Sequence, residues 1–188
     1  MIPNMNKLIK LVLIITFYNF LLVGKSYSQE IYRYRFSTGI GLSLLGSGDN
    51  TALNFENEFG VKVNKWMSTT ATLNYGRAFT TYKLFSSSFI QGNLNILFHS
   101  FHKNRLGVNF GIGLSIFDLN EVRTSVYPPD NISHFYFNDY TTVGINLIFE
   151  PRYNINNRLF LSLKLMAQLY QNGDTNAGGI LKIGYRFH

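Results

Sequence analysis

The sequence predicts an all-β fold: a closed, antiparallel, up-and-down transmembrane β-barrel of eight strands, preceded by a signal peptide. Apolar residues alternate with polar or small residues along most of the chain, which is the periodicity of a strand. The alternating segments are about 10 to 15 residues long, as membrane-spanning strands require, whereas soluble strands average about five or six residues. No apolar segment of helix-spanning length follows residue 28. A membrane-embedded chain of this kind must therefore be a barrel.

Residues 1–28 have the layout of a secretory signal peptide: a positive start, an apolar run, and small residues before a cleavage site. The apolar run, residues 11–23, is shorter than the roughly 20 residues that a spanning helix needs. Cleavage after Ser28 would leave residues 29–188 as a single outer-membrane β-barrel domain, exported across the inner membrane of a Gram-negative cell.

Composition excludes several kinds of function. The net charge is +7, but three of the lysines belong to the targeting segment and the remaining excess is dispersed, so nucleic acid is not an expected partner. The chain has no cysteine, which excludes a disulfide scaffold and a thiolate metal site. Its four histidines form no metal-ligand pattern. We expect no metal site and no cofactor.

Eight predicted strands fill the mature chain, and the links between them alternate between short and long. In chain order the strands cover residues 32–44, 52–63, 66–77, 88–101, 106–117, 140–155, 159–170 and 181–187. The short links are residues 64–65, 102–104 and 156–157, and the longer ones are residues 46–51, 78–87, 119–139 and 172–177. Short periplasmic turns and longer outer loops are typical of outer-membrane barrels.

The two faces of the strands predict which side meets lipid. The apolar face carries no charge on the cleanest strands, as a bilayer requires. The opposite face is rich in Gly, Ser and Asn, which fit the narrow bore of an eight-stranded barrel. The alternative is a soluble secreted β-barrel or sandwich with the apolar face inside.

Charged residues on the inward face predict a buried salt-bridge network that fills the bore, because unpaired buried charge is costly. Its predicted members are Arg33, Arg35, Glu56, Glu58, Lys62, Glu150, Arg152, Lys164, Lys182 and Arg186. Cations outnumber carboxylates, so the functional alternative is a narrow, anion-preferring solute pore.

The end of the chain, residues 179–188, resembles the C-terminal strand of bacterial outer-membrane barrels. Tyr185 and Phe187 supply the alternating aromatics that the barrel-assembly machinery reads in such strands. The mature chain is similar to the outer-membrane β-barrel domain family abundant in Bacteroidota, and more loosely to the OmpA/OmpX-type eight-stranded barrels. The resemblance implies insertion into outer-membrane lipid and no catalytic residues. We expect a monomer.

The segment from Leu119 to Asp139 is the best candidate for binding an extracellular ligand. It is too long for a compact connection, and long loops tend to be functional or disordered. Its aromatic residues are candidate anchors for a partner: Tyr127, Phe135, Tyr136 and Phe137. The alternative is that these residues cap the barrel rim or extend two strands into a protruding hairpin.

The same segment holds the best outer-side candidate cluster for chemistry, Asp130, Ser133, His134 and Asp139. A lipid A-modifying hydrolase or acyltransferase would need a nucleophile with a base within hydrogen-bond reach. Ser133 and His134 are adjacent in sequence, which points the two side chains apart in an extended segment. We therefore expect no enzyme, and a structural or surface-binding role for the barrel.

Overall fold

The computed structural model describes residues 32–46, 50–79, 85–103, 105–127 and 132–188. The predicted signal peptide, residues 1–28, lies outside the described residues. Within these ranges no helix is both long enough and apolar enough to cross a membrane.

Eight antiparallel strands form one closed barrel, in which each strand pairs with the next and β1 also pairs with β8. The strands are β1 (Tyr34–Leu45), β2 (Asn50–Lys62), β3 (Met67–Phe79), β4 (Phe85–Lys103), β5 (Leu106–Tyr127), β6 (Ile132–Asn154), β7 (Leu159–Tyr170) and β8 (Thr175–Phe187). Closure satisfies the backbone of every strand inside a bilayer. The predicted fold class is confirmed.

The predicted long loop over residues 119–139 is wrong, and the alternative of two strands extended into a protruding hairpin is confirmed. β5 continues to Tyr127 and β6 starts at Ile132, because these two strands pair with each other from Leu119↔Tyr140 out to Tyr127↔Ile132. The aromatic residues there favour an extended strand as much as they favour an exposed loop. Strand length, rather than loop length, distinguishes the two ends of the barrel.

The apolar face of the strands points outward and the polar face points into the bore, as predicted. Leu163 is 42% exposed, whereas the next residue, Lys164, is 1% exposed. The alternative of a soluble domain with an apolar core is therefore wrong. An apolar exterior around a polar interior is the arrangement of a barrel whose solvent is lipid.

Aromatic side chains collect at the end of the barrel where β1 starts and β8 finishes, which we call the inner rim. There the Tyr34 ring stacks on Phe59 and on Phe187, with centroids 6.1 and 5.9 Å apart. Tyr185 extends the group, 6.4 Å from Phe187. Such rings mark the membrane–water interface of a barrel. The opposite end is the outer rim.

Candidate functional site

The inner half of the bore holds a buried group of charges, which we call the ion cluster. Its members are Arg35, Glu56, Glu58, Glu150, Arg152, Lys164 and Lys182. Lys182 lies at the centre: its Nζ is 3.0 Å from Glu58 Oε2 and 3.2 Å from Glu150 Oε2. The side chain of Lys182 is fully buried. The cluster is thus formed between strands far apart in sequence.

Two further ion pairs involve Glu56 and Glu58. Lys164 Nζ donates to Glu56 Oε2 at 2.7 Å. Arg35 Nη2 donates to Glu58 Oε1 at 2.7 Å. Four cations face three carboxylates, so the charges nearly balance. A buried group with this many short contacts holds its strands in one register, because removing one partner would leave another charge unpaired.

A phenylalanine closes the bore below the ion cluster. Two guanidinium groups lie over the ring of the fully buried Phe160, with Arg152 Cζ 4.9 Å and Arg186 Cζ 5.1 Å from its centroid. Arg152 Nη2 also approaches Glu150 Oε1 at 3.4 Å, and Arg186 donates to Asn154 Oδ1. Cations over a desolvated ring are attracted to its π-electrons.

Three predicted members of the charge network lie apart from the ion cluster. Arg33 is exposed, which corrects its predicted position inside the bore. The polar alternation includes Arg33, but the barrel wall begins at Tyr34, and the guanidinium of Arg33 lies 5.9 Å from that ring. Lys62 is half-buried at the last position of β2. Arg186 is half-buried below Phe160.

Side-chain amides, which the sequence analysis did not single out, fill the middle of the bore. Gln91, Asn93 and Asn95 occupy successive inward positions of β4. Gln91 Nε2 donates to Gln168 Oε1 at 2.7 Å, and Asn146 Nδ2 donates to Asn95 Oδ1 at 2.9 Å. The sequence does contain a signal for this layer, because amides at every second position of β4 must lie on one face of the strand.

An apolar plug closes the outer end of the bore. It consists of Leu45, Ala52, Ala78, Phe89, Phe117, Leu119 and Tyr170, all buried. The Phe117 ring lies 5.0 Å from the ring of Phe89 and 4.9 Å from that of Tyr170. Alternation places Phe117 on the polar, inward face of its strand. A large aromatic residue on that face could have predicted an apolar plug in the bore.

Glycines inside the barrel are closely packed rather than loosely placed. A Cβ at Gly76 would lie 2.1 Å from Phe89 Cζ, and a Cβ at Gly184 would lie 2.2 Å from Phe160 Cζ. Real atoms do not approach so closely, so these positions accept only hydrogen. Plug, amides and ion cluster together fill the bore.

At the outer rim β5 and β6 continue past the end of β7 as what we call the outer hairpin, in which residues 119–127 pair with residues 132–140. β4 still pairs with β5 as far as Arg123, so the hairpin is two-stranded only beyond that residue. Pairing between β6 and β7 begins only at Gly144. The predicted binding residues Tyr127, Phe135 and Tyr136 belong to the backbone ladder of this hairpin. Phe137 is 74% exposed, the most exposed of the large apolar side chains described.

No protein-family model matches this chain, and no curated protein matches it. Several solved structures match. Neisserial surface protein A has a TM-score of 0.66 at 7% identity, covering 82% of this chain and 97% of that chain. Ail, the attachment invasion locus protein of Yersinia pestis, has a TM-score of 0.58 at 12% identity, covering 83% and 99%. The N-terminal β-barrel domain of Pseudomonas aeruginosa OprF has a TM-score of 0.54 at 14% identity, covering 83% of this chain and 98% of that chain.

The chain has the fold of the small outer-membrane barrels. Identities this low show the fold alone, and the apolar exterior supplies the independent argument for a lipid environment. Both agree with an outer-membrane location.

In this outer-membrane barrel, the base of the outer hairpin is held by side-chain hydrogen bonds. The Tyr140 hydroxyl donates to Asp174 Oδ2 in the link between β7 and β8. Thr141 Oγ1 donates to Asp118 Oδ1 at 2.7 Å. A cavity of about 100 Å³ lies beside Tyr140, above the apolar plug. These contacts fix the direction in which the hairpin leaves the barrel.

The residues considered for lipid modification are placed only in part. Asp130 lies outside the described residues. Ser133 and His134 are successive residues of β6, paired with Val126 and Ser125 of β5. Asp139 is exposed. Over the ranges that the structure describes, no three side chains of His, Asp or Glu are grouped to hold a metal ion.

Proposed function

We propose that this chain is an integral outer-membrane protein whose filled barrel anchors a surface-binding element, the outer hairpin. Strand length carries the proposal. β5 and β6 contain 22 and 23 residues, against 12 in β7, and they pair with each other beyond Arg123, where β4 no longer accompanies β5. A rigid support beneath an extended pair of strands suits a binding role better than transport.

The free edge of β6 suggests how binding would occur. The Val143 carbonyl accepts from Gln171 N, so odd-numbered residues of β6 direct their backbone groups toward β7. Residues 133 to 141 have no β7 partner in the described chain, which leaves their outward N–H and C=O groups available. An extended peptide can add to such an edge, with an exposed aromatic such as Phe137 as a side-chain anchor.

Charge at the outer rim favours a polypeptide over a polyanion. Ail has been solved with the heparin analogue sucrose octasulfate. Apart from Arg77, the charged side chains described as accessible at the outer rim are the carboxylates of Asp118, Asp139 and Asp174, while Glu121 is buried. A sulfated polymer would meet repulsion at these side chains. We therefore assign an extended, neutral or basic protein segment as the ligand class.

Replacing Phe137 by Pro is expected to lower binding by ten-fold or more, because proline removes a free-edge N–H and the aromatic ring without breaking the pairing to β5. Phe137→Ala keeps the backbone N–H, so it should lower binding by less than the proline variant does. The measurement is retention of cells displaying each variant on a panel of immobilised extracellular proteins, with heparin as the polyanion control. Unboiled gel mobility verifies that each variant is folded.

Equal retention of the proline variant and the parent chain would exclude edge addition. Retention on heparin alone would overturn the assigned ligand class.

A separate expectation concerns transport. Because plug, amides and ion cluster fill the bore, the purified protein should give no single-channel steps in planar bilayers. The measurement is current at symmetrical salt, with a known porin as positive control. Regular anion-selective steps would restore the pore alternative and contradict an anchoring role for the barrel.

We also propose that Tyr185 and Phe187 form the assembly signal of the last strand. Both lie at the inner-rim end of β8, where the assembly machinery would meet them from the periplasm. Kinship with the Bacteroidota-type barrels, which the chain ending resembles, is part of the same proposal.

A further inference from the structure

An asparagine interrupts the apolar exterior of β2. The outward residues of β2 are Leu53, Phe55, Asn57, Phe59 and Val61. Asn57 is the only amide in this series, and its neighbours on the strand, Phe55 and Phe59, are both well exposed to lipid. Alternation places the Asn57 side chain on the same face as those rings.

The position of Asn57 is well inside the hydrocarbon. Val61 pairs with Tyr34 at the aromatic inner rim, and Asn57 lies four residues further along β2. A strand rises about 3.3 Å per residue and is tilted by about 40° in a barrel, which places Asn57 roughly 10 Å from the interface. Lys and Arg can reach water from such a depth, but an asparagine side chain is too short.

The amide of Asn57 makes no hydrogen bond within the described part of the chain. Its cross-strand neighbour Thr38 is also polar and outward, but Thr38 Oγ1 donates to the Glu56 carbonyl at 3.3 Å. The Thr38 hydroxyl is thus satisfied by a backbone carbonyl nearby. The Asn57 amide has two donors and an acceptor, and the acyl chains around it offer no hydrogen-bond partner. Intramembrane polar groups of this kind mark functional contacts.

Small residues on the next two strands leave gaps between the bulkier side chains that surround Asn57. Ala71 and Gly92 lie on the neighbouring strands β3 and β4, and the space beside Gly92 is open, with no atom within 4 Å of a Cβ built there. Leu73 separates Asn57 from Gly92 in the same row of the sheet. Small residues let backbones in a membrane come together, and polar side chains then bond across the contact.

We propose that Asn57 is the centre of a two-fold interface between two copies of this barrel. A two-fold axis along the membrane normal keeps both copies at the same depth, so each Asn57 meets an identical amide. Each amide then donates to the oxygen of the other, which is the self-complementarity that a two-fold contact requires. Lipid offers no such group at this depth. The interface departs from the expectation of a monomer and is independent of the outer hairpin.

The cysteine-free sequence permits a direct test by cross-linking. Single-cysteine variants Thr38→Cys and Ala71→Cys flank Asn57, and Leu163→Cys on β7 lies on the far side of the barrel. In vesicles of purified protein treated with a flexible bis-maleimide cross-linker, which spans cysteines too far apart for a disulfide, we expect cross-linked dimers from the first two variants and at most one-tenth as much from the third. Unboiled gel mobility checks the fold of each.

The decisive variant is Asn57→Leu, which removes the amide and suits a lipid-facing position. Added to Thr38→Cys or Ala71→Cys, it should lower the dimer yield at least ten-fold, whereas Asn57→Gln should retain part of it. Unchanged yield with Asn57→Leu would overturn the proposal, and so would equal cross-linking at Leu163→Cys or no dimer in the parent background. None of these results would alter binding by the outer hairpin.

Discussion

Replacing Lys182 by Met is expected to lower the free energy of unfolding by about 3–5 kcal/mol, the cost of breaking a buried ion pair by removing one partner. Lys182 is the shared partner of Glu58 and Glu150, at 3.0 and 3.2 Å, and none of these side chains is accessible to water. Methionine fills the space but leaves two carboxylates with less compensation. Denaturant unfolding of the barrel in detergent or lipid measures the loss.

The matched control is Arg33→Gln, which removes an exposed cation at the inner rim and should change stability little. Adding Glu150→Gln to Lys182→Met should recover part of the loss, because it removes one of the charges left unpaired. If Lys182→Met proves as mild as Arg33→Gln, the ion cluster does not hold the strands together in the way its distances indicate.

Replacing Phe160 by Ala is expected to lower the free energy of unfolding by about 3–5 kcal/mol, the usual cost of truncating a buried aromatic. Phe160 fills the inner end of the bore, and the guanidinium groups of Arg152 and Arg186 both lie over its ring. Truncation leaves a cavity and removes the ring that both cations contact. The same unfolding measurement reports the change.

Phe160→Leu separates the two contributions, because leucine keeps most of the volume but has no π-electrons. We expect it to lose about 1–2 kcal/mol, which is the size of a desolvated cation–π contact. Equal losses for Ala and Leu would mean that the ring acts through its electrons alone. No loss for either would contradict the packing seen at Gly184.

The strand pattern and the inward set of charges could be predicted because alternation is a local property. Lys164 lies between Leu163 and Leu165 in sequence, and the only way for a strand to direct both leucines into lipid is to direct the lysine inward. The contact of Lys182 with Glu58 could not be predicted in this way. It joins residues 124 positions apart and depends on closure and on register around the whole barrel.

The errors have a similar physical origin. Alternation does not report where the wall of the barrel ends, so Arg33 was expected inside although the wall begins at Tyr34. Residues 119–139 contain aromatic residues that are compatible with a loop or a strand. They form strands because β5 and β6 pair with each other there, which the sequence alone does not show. Asn57 was visible as a break in an apolar series, but its lack of a hydrogen-bond partner is a property of the folded barrel.

The pairing of β1 with β8 has a consequence for biogenesis. The carboxylates of the ion cluster come from β2 and β6, and the cations come from β1, β6, β7 and β8. A nascent chain that lacks its last dozen residues therefore cannot pair β1 with β8 and has no Lys182, even when the rest of the chain has been secreted. Loop closure between the first and last strands must precede the burial of these charges, so insertion should be slow, cooperative and post-translational. Truncated chains would remain in the periplasm as substrates for proteases.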